Sequence, residues 1–504
     1  MNSTLFLLGA LLAAADGNSQ NPAPGEFKWG ADAQGGAPYI FQDPMDPNRI
    51  VGFEVDLADA LAKRQNLKSH PVSGAWDKLL ELLARGDFDY AINGVEVAEE
   101  KKRVALLSRP YYASPERLII RKGDAKAPHS LADLKGRKAG TLPGSLAERI
   151  LTREGADART YEGGQDEIFD DLKLGRTDAV LIDAPISLYY GEIDDAFELV
   201  PGDFGQVEYA VAVRLDDRAR LDQVNAALEA LEKDGTLRTL YQRWGLWNEQ
   251  TAKLFGDTDL SQPAATELER WRAAVGKLPP FLERVRTRYP QTIPLFLKGA
   301  ALTLITSLLA MILAVGLGIT LAMTRRYAPK PLGWLAQGYI EFFRGTPLLI
   351  QLTMIYFGLP ELGLKLDPFL AGVLALGFNY AAAEAENYRA GLESVPAGQL
   401  EASTVLGLTR WQTLRHVVGP QAVRISIPPM TNDFIALLKD SSLVSLVTLT
   451  ELTKTYTNLA NAMRDHLGLG LVVAISYLLL GLPFAQLAKK AEAHFARHLR
   501  RSTA

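Results

Sequence analysis

Apolar residues are distributed in two unlike ways along this chain. From residue 26 to about 290 they come in short runs between densely charged stretches; from 294 to 490 they come in long runs with few charges. In the first part, Ile50-Val51-Gly52-Phe53-Glu54-Val55-Asp56-Leu57 leads into a helix carrying Leu57, Ala60 and Leu61. Trp76, Leu79, Leu80 and Leu83 form another helical stripe, and Asp87-Phe88-Asp89-Tyr90-Ala91-Ile92 enters a strand. Arg176 to Asp183 repeats that helix-to-strand pattern. This order over 26–248 predicts an α/β domain with two similar lobes around a cleft. Residues 249–293, with Trp271, Val275, Leu278 and Phe281 loosely spaced beside several prolines, read as a partly helical linker.

The long runs predict an all-α membrane domain over 294–490 with five spans, near 295–324, 332–359, 368–390, 425–448 and 467–488. Arg344-Gly345-Thr346-Pro347 interrupts the second. The third carries Glu384, Glu386 and Arg389, which are costly against lipid and should face protein or the cytoplasmic end. Glu386 and Arg389 stand three apart and can pair on a helix. Lys439 and Asp440, inside an apolar stretch, should pair or face a cavity. Between the third and fourth spans, residues 396–420 are amphipathic and do not span. Leu400, Thr404, Leu408 and Trp411 recur at helical spacing, opposite Glu401, Arg410 and Arg415. Gly407 allows a sharp turn or close approach, and Pro420 should stop the preceding helix. A helix, a turn and a second helix across the membrane surface are expected.

Charge and composition refine this picture. The 504 residues give room for two or more domains, and the net charge of −4 comes without any basic patch interleaved with aromatics, so no nucleic-acid partner is expected. There is no cysteine, which excludes disulfides, thiolate chemistry and Cys-ligated metals. The six histidines show no metal-ligand spacing, and no nucleophile–base–orienter set stands out. The expectation is no catalytic site, no metal and no cofactor. The apolar run Leu5 to Ala15, ending Ala13-Ala14-Ala15, reads as a signal peptide over 1–15, with an uncleaved anchor as the alternative. Residues 16–25 read as a flexible tether and 491–504 as a tail. Lys and Arg cluster after the first span, around 396–420 and after the fifth. That asymmetry places the N-terminal domain outside, the C-terminus in the cytoplasm, and the chain in the plasma (inner) membrane.

Four stretches carry a resemblance over 26–248: GFEVDLADALA (52–62), GDFDYAI (86–92), SRPYY (108–112) and GRTDAVLIDAP (175–185). They resemble the amino-acid type of periplasmic solute-binding protein. The resemblance implies that Asp183 holds a ligand ammonium and that Gly144-Ser145, at a helix start, donates to its carboxylate. Trp76 falls where a side chain packs against the ligand. In GVEVAEEKKR (94–103) the sequence departs: Lys101 replaces the carboxylate-gripping arginine, and Glu96 and Ala98 replace hydroxyl residues. Lysine lacks arginine's bidentate fork, and Glu96 would repel a carboxylate unless Lys101 neutralises it. A cationic or carboxylate-poor solute is therefore expected over a plain acidic amino acid, with Trp76 adding a cation–π contact.

The membrane part carries a second resemblance. Glu401-Ala402-Ser403, three residues, Gly407, nine residues, then Val417-Val418-Gly419-Pro420 resembles the coupling-loop signature of ABC importer permeases, with Ser403, Val417 and Gly419 departing from it. RGTP (344–347) followed by LLIQLTMIYFGLP, and NDFIALLKDSSLVSLVTLTEL (432–452), resemble the amino-acid permease subfamily. The resemblance implies an importer subunit for a small polar solute, an amino acid or related amine, working as a homodimer through its permease part with two ATPase subunits. The chain holds no G-x-x-x-x-G-K-[ST] phosphate loop of its own. Two rivals are a ligand-gated channel or sensor with a degenerate binding domain, which lacks a T-V-G-Y-G filter here, and a lytic enzyme using Glu96 as its acid.

The charge asymmetry makes a direct test of orientation. Protease added to spheroplasts should remove residues 26–248 and leave a C-terminal tag intact; protection of the N-terminal domain would contradict the assigned topology.

Overall fold

The computed structural model describes residues 25–161, 164–276 and 278–501, with side chains to residue 490. The expected signal peptide and most of the tether lie outside the described residues, as do the side chains of the tail. The described residues form two compact units. One holds the residues up to Pro294 with Tyr456–Gly470, and the other holds Leu295–Thr455 and the chain from Leu471 onward.

In the first unit, Glu26–Ala31 pairs in parallel with Lys68–Ser73 on one side and Tyr90–Ala91 on the other. Phe27, Trp29 and Ala31 are buried, and so are the intervening Lys28 and Gly30, as a strand covered on both faces requires. Ala212–Val213 and Leu106–Leu107 extend this five-stranded sheet. The helix Phe53–Arg64 covers it with Phe53, Leu57 and Leu61, which gives the sequence stripe its place. A second sheet is built on Tyr112–Arg121, flanked by Ala179–Asp183, Lys138–Thr141 and Asp157–Thr160 on one side and Phe197–Leu199 on the other. The chain therefore crosses from sheet to sheet between Leu107 and Tyr112, and again between Tyr209 and Ala212. The two crossings are bonded to each other: Ser108 N donates to Val211 O at 2.9 Å, and Tyr111 N to Tyr209 O at 2.8 Å. Two lobes joined by paired crossing strands can open and close about that pair.

Residues 249–293 are partly helical, as expected, and pack within the first unit. They carry helices Glu249–Leu254, Thr266–Val275 and Phe281–Thr287. Leu268, Trp271, Ala274 and Val275 are buried in the same cluster as the first lobe, with Trp271 against Tyr189 and Tyr190. The few apolar residues of this stretch stand on one helix face, so a low average still makes a packed edge. Tyr456–Gly470 also belongs to this unit: Asn461 Nδ2 donates to Gln34 O at 2.7 Å, and Arg464 pairs with Asp166 at 2.9 Å.

The second unit is helical throughout. Among the described residues, two helices are long and apolar enough to cross a membrane, Tyr289–Tyr327 and His466–Lys490. The expected second span is divided into Lys330–Gly345 and Leu348–Thr353 at Thr346 and Pro347. Pro368–Glu393 and Gly419–Asp440 are long enough, at 26 and 22 residues; the first is charged only from Glu384 onward, the second from Arg424 to Asp440. They lie close together, a methyl on Gly391 standing 2.8 Å from Ala422 O; Gly377 packs in the same way on Tyr289–Tyr327, a methyl there standing 2.6 Å from Leu313. Approach through glycine is how helices gain contact where no hydrophobic force separates protein from lipid. Pro420 does not stop the helix before it. Leu414–Val418 forms one π-helical turn, and Gly419–Asp440 continues with Pro420 in its first turn, where the missing N–H is tolerated.

Candidate functional site

The segment after Tyr90–Ala91 leaves the first sheet at Gly94, whose φ of +59° favours glycine. Glu54, fully buried on the Phe53–Arg64 helix, fixes this turn by accepting from Gly94 N at 2.7 Å. It also accepts from Tyr111 Oη. Beyond the turn, Val97 N donates to Glu208 O at 2.8 Å and Ala210 N to Val95 O at 2.9 Å, so Glu96 is presented from the crossing strands. Burial pushes the Glu54 carboxyl up to about 7, outweighing its hydrogen bonds.

Glu96 is 5% exposed and reaches into the other lobe. Its Oε1 accepts from Leu146 N at 2.9 Å, in the first turn of the helix Leu146–Arg153, and its Oε2 pairs with Arg149 Nη2 at 2.8 Å. Lys101 feels the charge of Glu96, but the ion pair of Glu96 is made by another cation. Arg149 takes that role because it stands one turn into the helix that Glu96 faces. Lys101 instead places Nζ 5.5 Å from the ring centroid of Trp76, and burial lowers its pKa. Trp76 is held by Nε1 donating to Asn93 O at 2.9 Å.

Gly144 takes φ +67° and its N–H donates to Glu148 Oε2 at 2.6 Å. Ser145 caps the helix, its hydroxyl accepting from Glu148 N at 3.1 Å. Asp183 ends its strand and caps Ala184–Ile186, accepting from Ile186 N at 3.1 Å. Its other oxygen accepts from the hydroxyls of Tyr39 and Tyr209, one from each side of the crossing. Burial raises the Asp183 pKa and both tyrosine pKa values. Glu96 from one lobe therefore reaches the helix that Ser145 caps in the other, while Trp76 and Lys101 stand on the first lobe and Gly144, Ser145 and Asp183 on the second. Sequence reasoning missed Tyr39, Tyr209 and Arg149. Arg149 alone left a signal, an arginine one helical turn beyond the cap Ser145.

In the second unit, Ala397–Val405 and the helical stretch from Arg410 are joined by a turn in which Gly407 takes φ +74°. No atom lies within 4 Å of a methyl built on Gly407, so the glycine serves the turn and not an internal close approach. Thr409 caps the second helix in a reciprocal box with Gln412. Ser403, where the motif departs, is buried and bonded by Thr413 Oγ1 at 3.2 Å. Ala402 and Glu401 are exposed, and Val405, Leu406 and Trp411 expose an apolar tip.

The remaining candidates divide. Arg389 pairs with Glu386 at 2.7 Å as expected, and Arg325 pairs with Glu386 too. Lys439 and Asp440 do not pair; Asp440 accepts from Tyr380 Oη at 2.7 Å, while Lys439 is exposed. Arg344 and Gly345 are exposed, and the Thr346–Pro347 turn is closed by Gln351, which donates to Thr346 Oγ1 at 2.8 Å. Gln351 is itself bonded by Asn379 at 3.1 Å, a support the motif did not reveal.

Residues 28–246 match the bacterial extracellular solute-binding proteins, family 3, and residues 314–496 match the binding-protein-dependent transport system inner membrane component. Over 191 residues, 38% of this chain and 88% of the relative, the chain is 38% identical to a probable glutamine ABC transporter permease protein of Bacillus subtilis. It is 34% identical to a glutamine transport system permease protein of Escherichia coli over 206 residues, 40% of this chain and 92% of the relative. Among solved structures, an ancestral arginine-binding protein bound to glutamine matches at 31% identity, covering 44% of this chain and 99% of its own, with a TM-score of 0.41.

The Glu54 geometry sets a pH dependence. A carboxyl raised from 4.5 to about 7 by folding stabilises the folded state only while protonated, so its contribution is present at low pH and lost as pH rises from 4.5 to about 7. The loss is about 3 kcal/mol. Glu54→Gln should remove this slope, read as denaturation midpoints of the full chain between pH 5 and 8. Parallel profiles for the two proteins would contradict the assignment.

Proposed function

The chain belongs to the binding-protein-dependent transport system inner membrane components, with a family 3 extracellular solute-binding domain in the same polypeptide, and from that membership we propose that it is an amino-acid importer subunit carrying its own receptor. The observation that carries the reading is the succession of the two modules in one chain. The receptor takes up a small polar solute, an amino acid or related amine, outside the cell, and the permease part passes it inward. The glutamine permeases among its relatives support that solute class.

Hydrolysis of ATP is supplied by a separate subunit that engages residues 396–420. The exposed tip of Val405, Leu406 and Trp411, on a capped helix–turn–helix, suits a cleft on such a partner. Two copies of the chain, joined through their permease parts, and two ATPase subunits complete the transporter in the lipid bilayer. In the receptor, Trp76, Lys101, Gly144, Ser145 and Asp183 line the solute cleft. Arg344–Pro347, Glu386, Arg389, Lys439 and Asp440 serve the permease part, in a topology of five spans with the receptor outside and the C-terminus inside.

The coupling role is tested by Gly407→Asp combined with Glu401→Lys. The aspartate disfavours the left-handed turn and both changes alter the charge at the tip. Uptake of labelled glutamine by cells carrying the double variant should fall to background, while solute affinity of the purified chain is unchanged. Retained ATP-dependent uptake would defeat the assignment.

A further inference from the structure

The first turn of Leu146–Arg153 and the guanidinium of Arg149 make one anion-recognition end: an N–H at the positive pole of a helix beside a fixed cation. That end is already occupied. Glu96, from the opposite lobe, accepts from Leu146 N at 2.9 Å and from Arg149 Nη2 at 2.8 Å. Arg149 also reaches Glu100 at 3.1 Å and Gly144 O at 3.2 Å, so both Nη1 donors and the Nη2 donor facing the cleft are taken. Resting on the reading of this domain as a solute receptor, we propose that Glu96 is a built-in competitor for a solute carboxylate and sets specificity against it. A solute that brought its own carboxylate to this end would have to displace a nearly buried one and leave Glu96 without its partners. An amine or amide without a carboxylate would not.

Lys101 lies over Trp76, close enough to feel the charges of Glu96 and Arg149, while the ion pair of Glu96 is with Arg149. Glu96 therefore also bonds the two lobes together, in the position that a bridging solute group would take.

The test is a cycle between Glu96 and the solute carboxylate, using calorimetry on the purified full chain in nanodiscs. Four probes suffice: glutamine, its decarboxylated analogue 4-aminobutanamide, arginine and its decarboxylated analogue agmatine. The quantity is the ratio of the Kd for each decarboxylated probe to that of its parent. Removing a charged competitor should raise this ratio by about tenfold or more in Glu96→Thr, the size of one charge-assisted hydrogen bond. Glu96→Gln keeps the shape and an acceptor for Leu146 N, and should raise the ratio in the same direction should the threonine variant not fold. Probes that bind with a ratio unmoved by either change overturn the role of Glu96 and leave the receptor reading standing. Failure of all four probes to bind any of the three proteins overturns both.

Discussion

The carboxylate of Glu96 leaves one lobe and ends on the first turn of a helix in the other, and much of the receptor geometry follows from that reach. A charge removed from water is costly unless its lone pairs are met by donors, ideally by an opposite charge and a helix start together. Both donors stand on the far lobe, so meeting them draws the lobes together. The turn at Gly94 that aims Glu96 is itself held by a second buried carboxyl, Glu54, in its own lobe. Asp183 repeats the arrangement from the opposite side, its one oxygen bonded by Tyr39 and Tyr209 and its other by the helix it caps. The cleft is thus defined by carboxylates whose partners come from distant stretches of chain.

The permease part obeys the same constraint with different means. Glu386 is held by Arg389, one turn away on its own helix, and by Arg325, from the end of another. Helices that carry such groups must stay against one another, and glycines at 377 and 391 allow the close approach. The loop from Ala397 to Val418 is organised differently. Its turn is closed by local bonds, the Thr409–Gln412 box and Ser403 with Thr413, and its apolar side chains point away from the unit. A rigid element with an exposed tip is suited to transmitting movement from a partner to the helices on either side.

The element order of the receptor was legible because each strand and helix is local and periodic: Leu57 and Leu61 are buried on one helix face, and Ala179–Asp183 is the strand the pattern marked. Family motifs located Trp76, Glu96, Lys101, Gly144, Ser145 and Asp183 on facing lobes. The partners were not legible. Glu96 lies five residues from Lys101 but 53 from Arg149, and sequence proximity favoured the wrong cation. The packing of 249–293 was not legible because an average over many polar residues hid Leu268, Trp271 and Val275 on one face. Pro420 was read by its local rule, while a π-helical turn ahead of it lets the helix run on.

The central claim is that solute capture by the receptor is coupled to ATP-driven passage through the permease part of the same chain. Proteoliposomes bearing the full chain and its ATPase partner, with ATP sealed inside and a labelled solute that the receptor binds outside, test it most directly. The account predicts that this solute accumulates above its external concentration only when ATP is present inside. Flux that follows the solute gradient without ATP would contradict it and make the chain a solute-gated pore.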